Sequence, residues 1–400
     1  MTKLPQGWEW KSLSEICEVV MGQSPNGNCI FNKDKNKDLI EFHQGKIAFS
    51  DKYINKSDFV TSDVRKIAKK NSVVLSVRAP VGEVNIASED IAIGRGLCSL
   101  NGIKINNEFL FFYLLTLKKY FNDNSTGSTF KAISTKTIKE TKIPLPPLQE
   151  QERIVGILDE SFAKIDKSIK ILEQDLLNLD ELMQSALQKA FNPLKDNTKE
   201  NYKLPQGWEW KSLGDIGEII TGTTPSKNNP NFYGNEYPLF KPSDLNGDMV
   251  IKYASDNLSK VGFDNARNLP KNTILIVCIG ASIGKVGLSG VNGSCNQQIN
   301  AIIPSSTFVS KYLFFVCLSN YFQEILKKNA SQTTLPIINK TEFSKLKIPL
   351  PPLQEQEQIA SYLDRLSLNI KDLKQNYQTQ IKNLQELKKS LLDKAFQGRL

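Results

Sequence analysis

The sequence predicts an α+β protein in which two pseudo-symmetric globular domains are separated by two long antiparallel coiled-coil helices. Blocks of sequence recur in the same order in both halves, and each copy closes with a long heptad pattern. Four hundred residues are too many for one core and suit two domains with connectors. The predicted order is a first domain at 1–148, a first long helix at 149–192, a linker at 193–203, a second domain at 204–353 and a second long helix at 354–400.

The repeat is sharpest at the edges of each copy. LPQGWEWKSL at 4–13 returns unchanged at 204–213, and KIPLPPLQEQE at 142–152 returns at 347–357. Between these edges the copies diverge, although the order of landmarks is kept. A shared frame around altered interiors predicts one scaffold that carries two different readouts.

The globular parts mix short β-branched runs with Gly, Asn and Asp punctuation. Runs such as 73–77 and 274–279 have the composition of strands and are followed by glycine-containing turns. FLFFYLL at 109–115 and KYLFFVCL at 311–318 are apolar on too many sides for surface helices. We therefore expect mixed α+β domains in which these two segments form buried helices.

Each long helix is predicted from apolar residues that alternate three and four positions apart. A helix of about 40 residues is roughly 60 Å long at 1.5 Å per residue. The economical arrangement is an antiparallel pair within the chain, which has a pseudo-twofold axis as B-DNA does; an intermolecular coiled coil is the alternative. The predicted seams are Ile154, Leu158, Phe162, Ile165, Ile169, Leu172, Leu176, Leu179, Met183 and Ala190, and Ile359, Leu363, Leu366, Ile370, Leu373, Tyr377, Ile381, Leu384, Leu387, Leu391 and Ala395.

Composition narrows the class of protein. The formal net charge is +9 and the pI about 9.0, which agrees with a polyanionic partner without requiring one. The six cysteines have no metal-site spacing and the single histidine is His43, so no metal site is expected and the thiols should be buried and free. Because no apolar run approaches the roughly 20 residues of a membrane span, we expect a cytoplasmic protein without a membrane partner.

The ordered blocks resemble signatures of the specificity subunits of type I restriction-modification enzymes, over essentially the whole chain. They are LPQGWEWKSL, SVRAPVGEVN at 76–85, IGRG at 93–96, TGTTPS at 221–226, CNQQIN at 295–300 and IPLPPLQEQ before each long helix. The resemblance implies two target recognition domains, each reading one half-site of a split, asymmetric double-stranded DNA target. It also implies two adenine-N6 methyltransferase (modification) subunits as partners and, through them, restriction subunits. S-adenosylmethionine and ATP are then expected on those partners, and no cofactor on this chain.

The residues offer no catalytic centre, so we expect a non-enzymatic subunit. An amino-methyltransferase needs an Asp/Asn-Pro-Pro-aromatic motif, but the Pro-Pro pairs at 146–147 and 351–352 lie between leucines. The alternative function is a structural coiled-coil scaffold that pairs two partner proteins without DNA readout. The divergence between the domain interiors favours DNA recognition, because a scaffold has no reason to vary there.

Candidate DNA contacts lie in turns and loops. Arg and Lys commonly contact phosphates or guanine edges, and Asn and Gln can pair with adenine. Solvated side chains and turn-bracing amides are the alternative for each. The candidates are Gln44, Lys46, Arg78, Asn85, Arg95 and Lys131 in the first domain, and Lys241, Lys285, Asn296, Gln297, Gln298 and Lys340 in the second.

Candidate partner contacts lie in the blocks that recur unchanged, because a surface that meets two identical partners should not vary. Fixing each domain on its neighbouring helix explains the tryptophans equally well, and buried scaffold packing is the alternative for the helix starts. The candidates are Trp8, Trp10, Trp208 and Trp210 in the opening blocks, and Gln149, Glu150, Gln354 and Glu355 at the helix starts.

Overall fold

The computed structural model describes residues 4–35, 38–127, 131–191, 204–331 and 335–400, so the predicted linker at 193–203 lies outside the described residues. The chain divides into two compact units. Unit 1 contains residues 1–172 and 379–400, and unit 2 contains residues 173–378. These units differ from the predicted linear boundaries because each contains part of both long helices.

The globular part of unit 1 consists of short strands and helices separated by turns, as the β-branched runs predict. The strands are β1 (Glu9–Ser12), β2 (Cys17–Met21), β3 (Ile30–Asn32), β4 (Ile40–His43), β5 (Phe59–Thr61), β6 (Ile67–Ala68), β7 (Val73–Ser76), β8 (Val84–Ile86), β9 (Ile91–Ile93), β10 (Leu97–Gly102) and β11 (Lys142–Leu145). The helices are α1 (Leu13–Ile16), α2 (Asn107–Thr116), α3 (Lys118–Asp123) and α4 (Thr135–Glu140). The long α5 (Leu148–Phe191) follows them, and its residues from Glu173 onward belong to unit 2.

Three sheets enclose the core of this part. β1 pairs with β11, a four-stranded sheet has the order β2-β10-β7-β8, and a five-stranded sheet has the order β3-β5-β4-β9-β6. The predicted apolar helix α2 is central to the core, with Phe109 and Leu110 fully buried. Asn106 caps its amino end: the Asn106 Oδ1 accepts hydrogen bonds from the backbone N–H groups of Glu108 (2.8 Å) and Phe109 (3.1 Å).

Unit 2 repeats this construction. One sheet pairs β12 with β21, another has the order β13-β20-β17-β18-β15, and a third has the order β16-β14-β19. The strands are β12 (Glu209–Ser212), β13 (Ile219–Thr221), β14 (Tyr233–Phe240), β15 (Val250–Ile251), β16 (Asp256–Leu258), β17 (Ile274–Val277), β18 (Val286–Ser289), β19 (Ser294–Cys295), β20 (Ile299–Ile302) and β21 (Lys347–Leu350). The helices are α6 (Leu213–Ile216), α7 (Lys260–Asn265), α8 (Ser310–Leu318), α9 (Asn320–Asn329) and α10 (Lys340–Ser344). The long α11 (Leu353–Ala395) follows them, and its residues from Thr379 onward belong to unit 1.

The blocks that recur unchanged pair with each other inside each unit. β1 and β11 run antiparallel with Trp10 opposite Pro144, and β12 and β21 do the same with Trp210 opposite Pro349. The opening block of a copy is thus hydrogen-bonded to the block that leads into its long helix. Both recurring blocks contribute to the same two-stranded sheet in each unit, which gives an internal reason for their identity.

The long helices pack antiparallel within the chain, as predicted. In unit 1, Lys388 of α11 forms an ion pair with Asp166 and lies 4.6 Å from the ring centroid of Phe162, both on α5. In unit 2, Lys374 forms an ion pair with Asp180. Asp166 of α5 lies opposite Lys388 of α11, whereas Asp180, further along α5, lies opposite Lys374, which comes earlier in α11. Residue numbers that rise along one helix therefore fall along the other, as in an antiparallel pair.

The predicted seam is buried or half-buried except at two leucines of α11. Leu373 is 40% exposed and Leu387 is 45% exposed. The following residues, Lys374 and Lys388, face α5 instead and pair with its carboxylates. A lysine stem can cover apolar surface while its ammonium reaches a carboxylate, so the heptad pattern alone selects the wrong side chain at these two turns.

All six cysteines are free, and all but the half-buried Cys29 are buried. Among the described residues, no group of three or more His, Cys, Asp or Glu side chains is arranged to hold a metal ion. Within the same residues, no helix has the length and apolar character to cross a membrane.

Candidate nucleic-acid interface

Two parallel strands of unit 1 end side by side and present neighbouring loops. β4 and β9 pair in parallel. Gly94 N donates to His43 O (2.8 Å), and Gly96 N donates to Gln44 O (3.2 Å), so the loop after β9 is joined to the loop after β4. A Cβ on Gly96 would lie 2.5 Å from the backbone O of Gln44, so the close approach of the two loops requires glycine at that position.

A turn from the start of the domain lies against the loop at 94–96. Gly22 N donates to Leu97 O (2.9 Å). The Ser24 hydroxyl donates to Gln44 Oε1 (2.9 Å) and accepts from Arg95 Nε (3.3 Å). One hydroxyl therefore orients two of the predicted DNA-contacting side chains.

The same loop arrangement occurs in unit 2. β14 and β19 pair in parallel, and Asn296 N donates to Phe240 O (3.0 Å). The loop at 296–298 therefore holds in unit 2 the place that the loop at 94–96 holds in unit 1. These loops have different sequences, GRG and NQQ, on the same backbone frame.

The turn that supports this loop also recurs. Gly222 N donates to Ile299 O (3.0 Å), as its counterpart does in unit 1. Thr224 Oγ1 then donates to Gln297 Oε1 (2.8 Å), so Thr224 occupies the role of Ser24. The G-x-Ser/Thr-Pro turn is thus common to both units, while the side chain that it orients differs.

Further predicted cations lie beside the loop of unit 1. Val77 N donates to Gly96 O (2.9 Å), and Arg78 forms an isolated β-bridge with Ala132, next to Lys131. Among the residues with described positions, no carboxylate forms an ion pair with the cations of this edge. We call the group the first loop edge; it consists of Ser24, Gln44, Arg78, Arg95 and Lys131.

Two predicted contacts of the first domain are used internally. Lys46 Nζ lies 3.3 Å from Glu83 Oε1. Asn85 is 1% exposed; its Nδ2 donates to Ser50 O (2.7 Å) and its Oδ1 accepts from Ser50 N (2.9 Å). Asn85 therefore braces the backbone at Ser50, contrary to the predicted base contact, because a buried amide bonded on both atoms has no free edge for a base.

The second loop edge consists of Thr224, Lys241, Lys285, Gln297 and Gln298. Lys241 is half-buried and ion-paired with Asp256, so its charge is largely neutralised within the domain. Lys285 is exposed, and its Nζ lies 3.4 Å from the backbone O of Pro242. Gln297 is exposed, and its contact with a base stays a prediction.

Neighbouring amides in this loop bond to each other. Asn296 is 7% exposed, and its Nδ2 donates to Gln298 Oε1 (2.9 Å). Gln298 Nε2 in turn points to Ile279 O (3.4 Å). Asn296 is thus a turn-bracing residue, which was the alternative for it.

Lys340 is exposed as the first residue of α10.

Two side chains near these edges were not predicted. Arg267 Nη1 donates to Thr221 O (2.5 Å), which places a guanidinium beside the turn of unit 2. It is the only arginine between residues 204 and 353, a signal that the sequence did offer. Ile47, in the loop after Gln44, is fully exposed at 101%. An isolated isoleucine gives no sequence signal of exposure, because most isoleucines are buried.

The predicted partner contacts have mixed exposure. Trp8, Trp10 and Trp208 are half-buried, and Trp210 is 37% exposed with its ring centroid 5.7 Å from that of Tyr321. The part of all four in docking stays a prediction; Trp10 and Trp210 are also strand residues of the two-stranded sheets. At the helix starts, Gln149 and Gln354 are exposed, while Glu150 and Glu355 are half-buried.

The residue that fastens each long helix to its domain is a different glutamine. Gln151 is 1% exposed; its Nε2 donates to Pro146 O (2.9 Å) and its Oε1 accepts from Asn106 N (2.8 Å). Gln356 forms the corresponding bonds in unit 2, to Pro351 O (2.8 Å) and from Val309 N (2.9 Å). This glutamine of the repeated QEQ block therefore holds the helix to its own domain. Its presence in both copies is explained without a contact to a partner protein.

His43 lies beneath the first loop edge. It is 3% exposed, and its Nε2 has no hydrogen-bond partner among the described residues but lies 3.5 Å from Glu41 Oε2. Burial lowers the pKa of His43, and the nearby Glu41 carboxylate opposes this only in part. Phe240 holds the equivalent place in unit 2, so an apolar ring suits this position.

Comparison with known proteins relates both halves of the chain to one family. A family model described as "Type I restriction modification DNA specificity domain" matches residues 5–175 and 205–383. The type I restriction enzyme MjaIX specificity subunit of Methanocaldococcus jannaschii is 26% identical over 100% of this chain and 94% of that protein. The HindI specificity subunit of Haemophilus influenzae is 32% identical over 49% of this chain and 42% of that protein.

Solved structures share the fold. A chain solved for the complex assembly and conformational transition of the type I R-M system matches with a TM-score of 0.81, 23% identity and full coverage of both chains. The HsdS subunit from Thermoanaerobacter tengcongensis matches with a TM-score of 0.62 and 23% identity over 100% of this chain and 99% of that chain. The α+β architecture with paired long helices is therefore a known fold.

Proposed function

Because the chain belongs to the family of type I restriction-modification DNA specificity proteins, we propose that each unit reads one half-site of a split, asymmetric DNA target. The chain is a type I specificity subunit, and DNA target recognition is the general function of its family. Such a subunit works in a complex with other subunits and DNA. It is the non-catalytic component, so its function is binding and positioning.

The observation that carries the half-site proposal is the pair of loop edges. Each is built on the same parallel strands and the same G-x-Ser/Thr-Pro turn, but the side chains that they expose differ. Two units that share a backbone arrangement but expose different side chains are suited to recognise two different sequences in one DNA duplex. Arg, Lys and Gln side chains are suited to phosphates and base edges.

The partners that we propose are two adenine-N6 methyltransferase subunits and, through them, restriction subunits. Leu148 and Leu353, at the same position of each long helix, are 57% and 48% exposed, and Gln149 and Gln354 beside them are also exposed. Two identical exposed patches suit two identical partners. S-adenosylmethionine and ATP would be bound by those partners, and a cytoplasmic location stays a prediction.

Sequence enrichment tests the proposal directly. The full chain would be reconstituted with its modification subunit and incubated with a library of duplexes that contain a randomised region, and the bound duplexes would be sequenced. We expect enrichment of two short half-sites with a fixed gap. A complex that binds all duplexes equally would support the scaffold alternative instead.

Exchange of one domain separates the contributions of the two units. Replacing residues 1–147 by the corresponding part of another family member should change one half-site and leave the other half-site unaltered. The reciprocal exchange of residues 204–352 should change the other half-site. Simultaneous changes in both half-sites after a single exchange would show that the units do not read DNA independently.

A further inference from the structure

In each unit, a buried run of chain is interrupted by an exposed side chain beside the supporting turn. In unit 1, every residue of 91–100 is buried except Arg95. In unit 2, residues 293–300 are buried except for the exposed Gln297 and the half-buried Gln298. The chain on either side of these positions is fixed in the core, so the two side chains are presented from rigid backbone.

The backbone at both positions is held by the same close approach. A Cβ on Gly22 would lie 2.1 Å from Gly94 O, and a Cβ on Gly222 would lie 2.2 Å from Asn296 O. Such distances are possible only for glycine. Each turn is therefore seated directly against the loop that carries the exposed side chain, and neither can shift alone.

The turn also orients the exposed side chain and leaves part of it free. Arg95 donates through Nε to Ser24 Oγ (3.3 Å), which leaves both Nη groups available. Gln297 accepts through Oε1 from Thr224 Oγ1 (2.8 Å), which leaves its NH₂ group and a second acceptor site available. Among the residues that the structure describes, no carboxylate forms an ion pair with Arg95, whereas Lys241 in unit 2 is paired.

We propose that Arg95 and Gln297 are equivalent base-reading positions, with Arg95 specifying guanine in one half-site and Gln297 specifying adenine in the other. A guanidinium offers two donors that match guanine O6 and N7, and a primary amide offers the donor and acceptor that match adenine N7 and N6. The inference rests on the proposed function. It adds that the difference between Arg95 and Gln297, at one equivalent position, makes the two units recognise different bases. It explains how a repeated frame recognises an asymmetric target.

Reciprocal substitutions test this pairing. The full chain would carry Arg95→Gln or Gln297→Arg, and the methylated sites produced with the modification subunits would be sequenced from a randomised library. We expect Arg95→Gln to change one guanine of one half-site to adenine, and Gln297→Arg to change one adenine of the other half-site to guanine. Each change of preference should be roughly tenfold or more.

Each variant contains its own control, because the half-site read by the unaltered unit reports whether the complex is folded and active. Arg65→Gln is a charge-matched control in unit 1, since Arg65 is exposed and ion-paired with Asp63 (2.7 Å); it should leave the motif unchanged. If Arg95→Gln abolishes modification, binding to duplexes that differ only at the candidate guanines still measures the preference.

Several results would overturn the inference. Variants that keep the original motif but bind all duplexes more weakly would mean that these side chains contact phosphates. Loss of preference at several positions of a half-site would mean a structural role. The absence of any split motif for the unaltered chain is a different result, because it contradicts the proposed function itself.

Discussion

Each long helix places an aromatic ring in a core at its carboxyl end, and removal of that ring should loosen one unit selectively. Phe396, directly after α11, is 9% exposed in unit 1, with ring centroids 5.3 Å from Phe109 and 4.9 Å from Tyr113. Phe191, the last residue of α5, is fully buried in unit 2, 5.5 Å from Tyr312. We predict that Phe396→Ala opens unit 1 and Phe191→Ala opens unit 2.

The two substitutions should have similar magnitudes. A buried Phe→Ala change costs about 3–5 kcal/mol, which includes the cavity that is left. Phe191 is more completely buried, while Phe396 loses two edge-to-face ring contacts rather than one. We therefore expect about 4 kcal/mol for each, which is roughly a 10³-fold rise in the open population of the affected unit.

Amide hydrogen exchange, followed by mass spectrometry, resolves which unit opens. Peptides from α2 should exchange up to about 10³-fold faster in Phe396→Ala, and peptides from α8 should do so in Phe191→Ala. Leu387→Ala and Leu182→Ala are matched controls on the same helices, because these leucines are 45% and 48% exposed. Each control should cost less than about 1 kcal/mol.

The reasoning is refuted if Phe396→Ala accelerates exchange in α8 as much as in α2. It is also refuted if Phe396→Ala matches the Leu387→Ala control. The first result would mean that the aromatic ends stabilise the chain as a whole. The second would mean that the core of unit 1 closes over the cavity at little cost.

Three further predictions concern single buried groups. Gln151→Ala should lower the free energy of unfolding by about 1–3 kcal/mol in denaturant titrations, since it leaves two backbone groups unpaired, whereas the exposed Gln149→Ala should change it by less than about 0.5 kcal/mol. Burial lowers the pKa of His43 from its usual value of 6.5, so the unfolded chain binds a proton at this site more readily than the folded chain does. The free energy of unfolding should therefore fall as the pH drops below 6.5. Denaturation midpoints measured from pH 5 to 7.5 should lose this part of their pH dependence in His43→Phe. Burial raises the pKa of Cys98 to about 12, so a thiol reagent at pH 8 should label the half-buried Cys29 well before Cys98, and equal labelling rates would contradict the described core.

The sequence predicted the features that depend on periodicity and repetition. The two apolar segments became the buried helices α2 and α8, and the heptad seams became the facing sides of α5 and α11. A strong apolar pattern specifies burial with little help from context. The exceptions, Lys374 and Lys388, were missed because a lysine faces a partner helix only when a carboxylate lies opposite, and that depends on the register of two distant segments.

Contacts between distant segments account for the other differences. The pairing of β1 with β11 joins the start of a domain to its end, and neither block alone indicates its partner. Asn85 follows a predicted turn and has the chemistry to read a base, but its burial against Ser50 depends on a loop far along the chain. The sequence predicted which Arg, Lys and Gln side chains could contact DNA at the loop edges. It did not predict that the hydroxyls of Ser24 and Thr224 orient them, because those contacts depend on the folded structure.

The proposed function requires that this chain determines which DNA sequence is modified. Modified-base sequencing should be applied to DNA from cells that express the chain with its cognate modification subunit, and from cells that lack only the chain. We predict a split motif with N6-methyladenine on both strands, present only when the chain is present. An active modification subunit that produces no new motif with the chain, or the same motif without it, would contradict the proposed function.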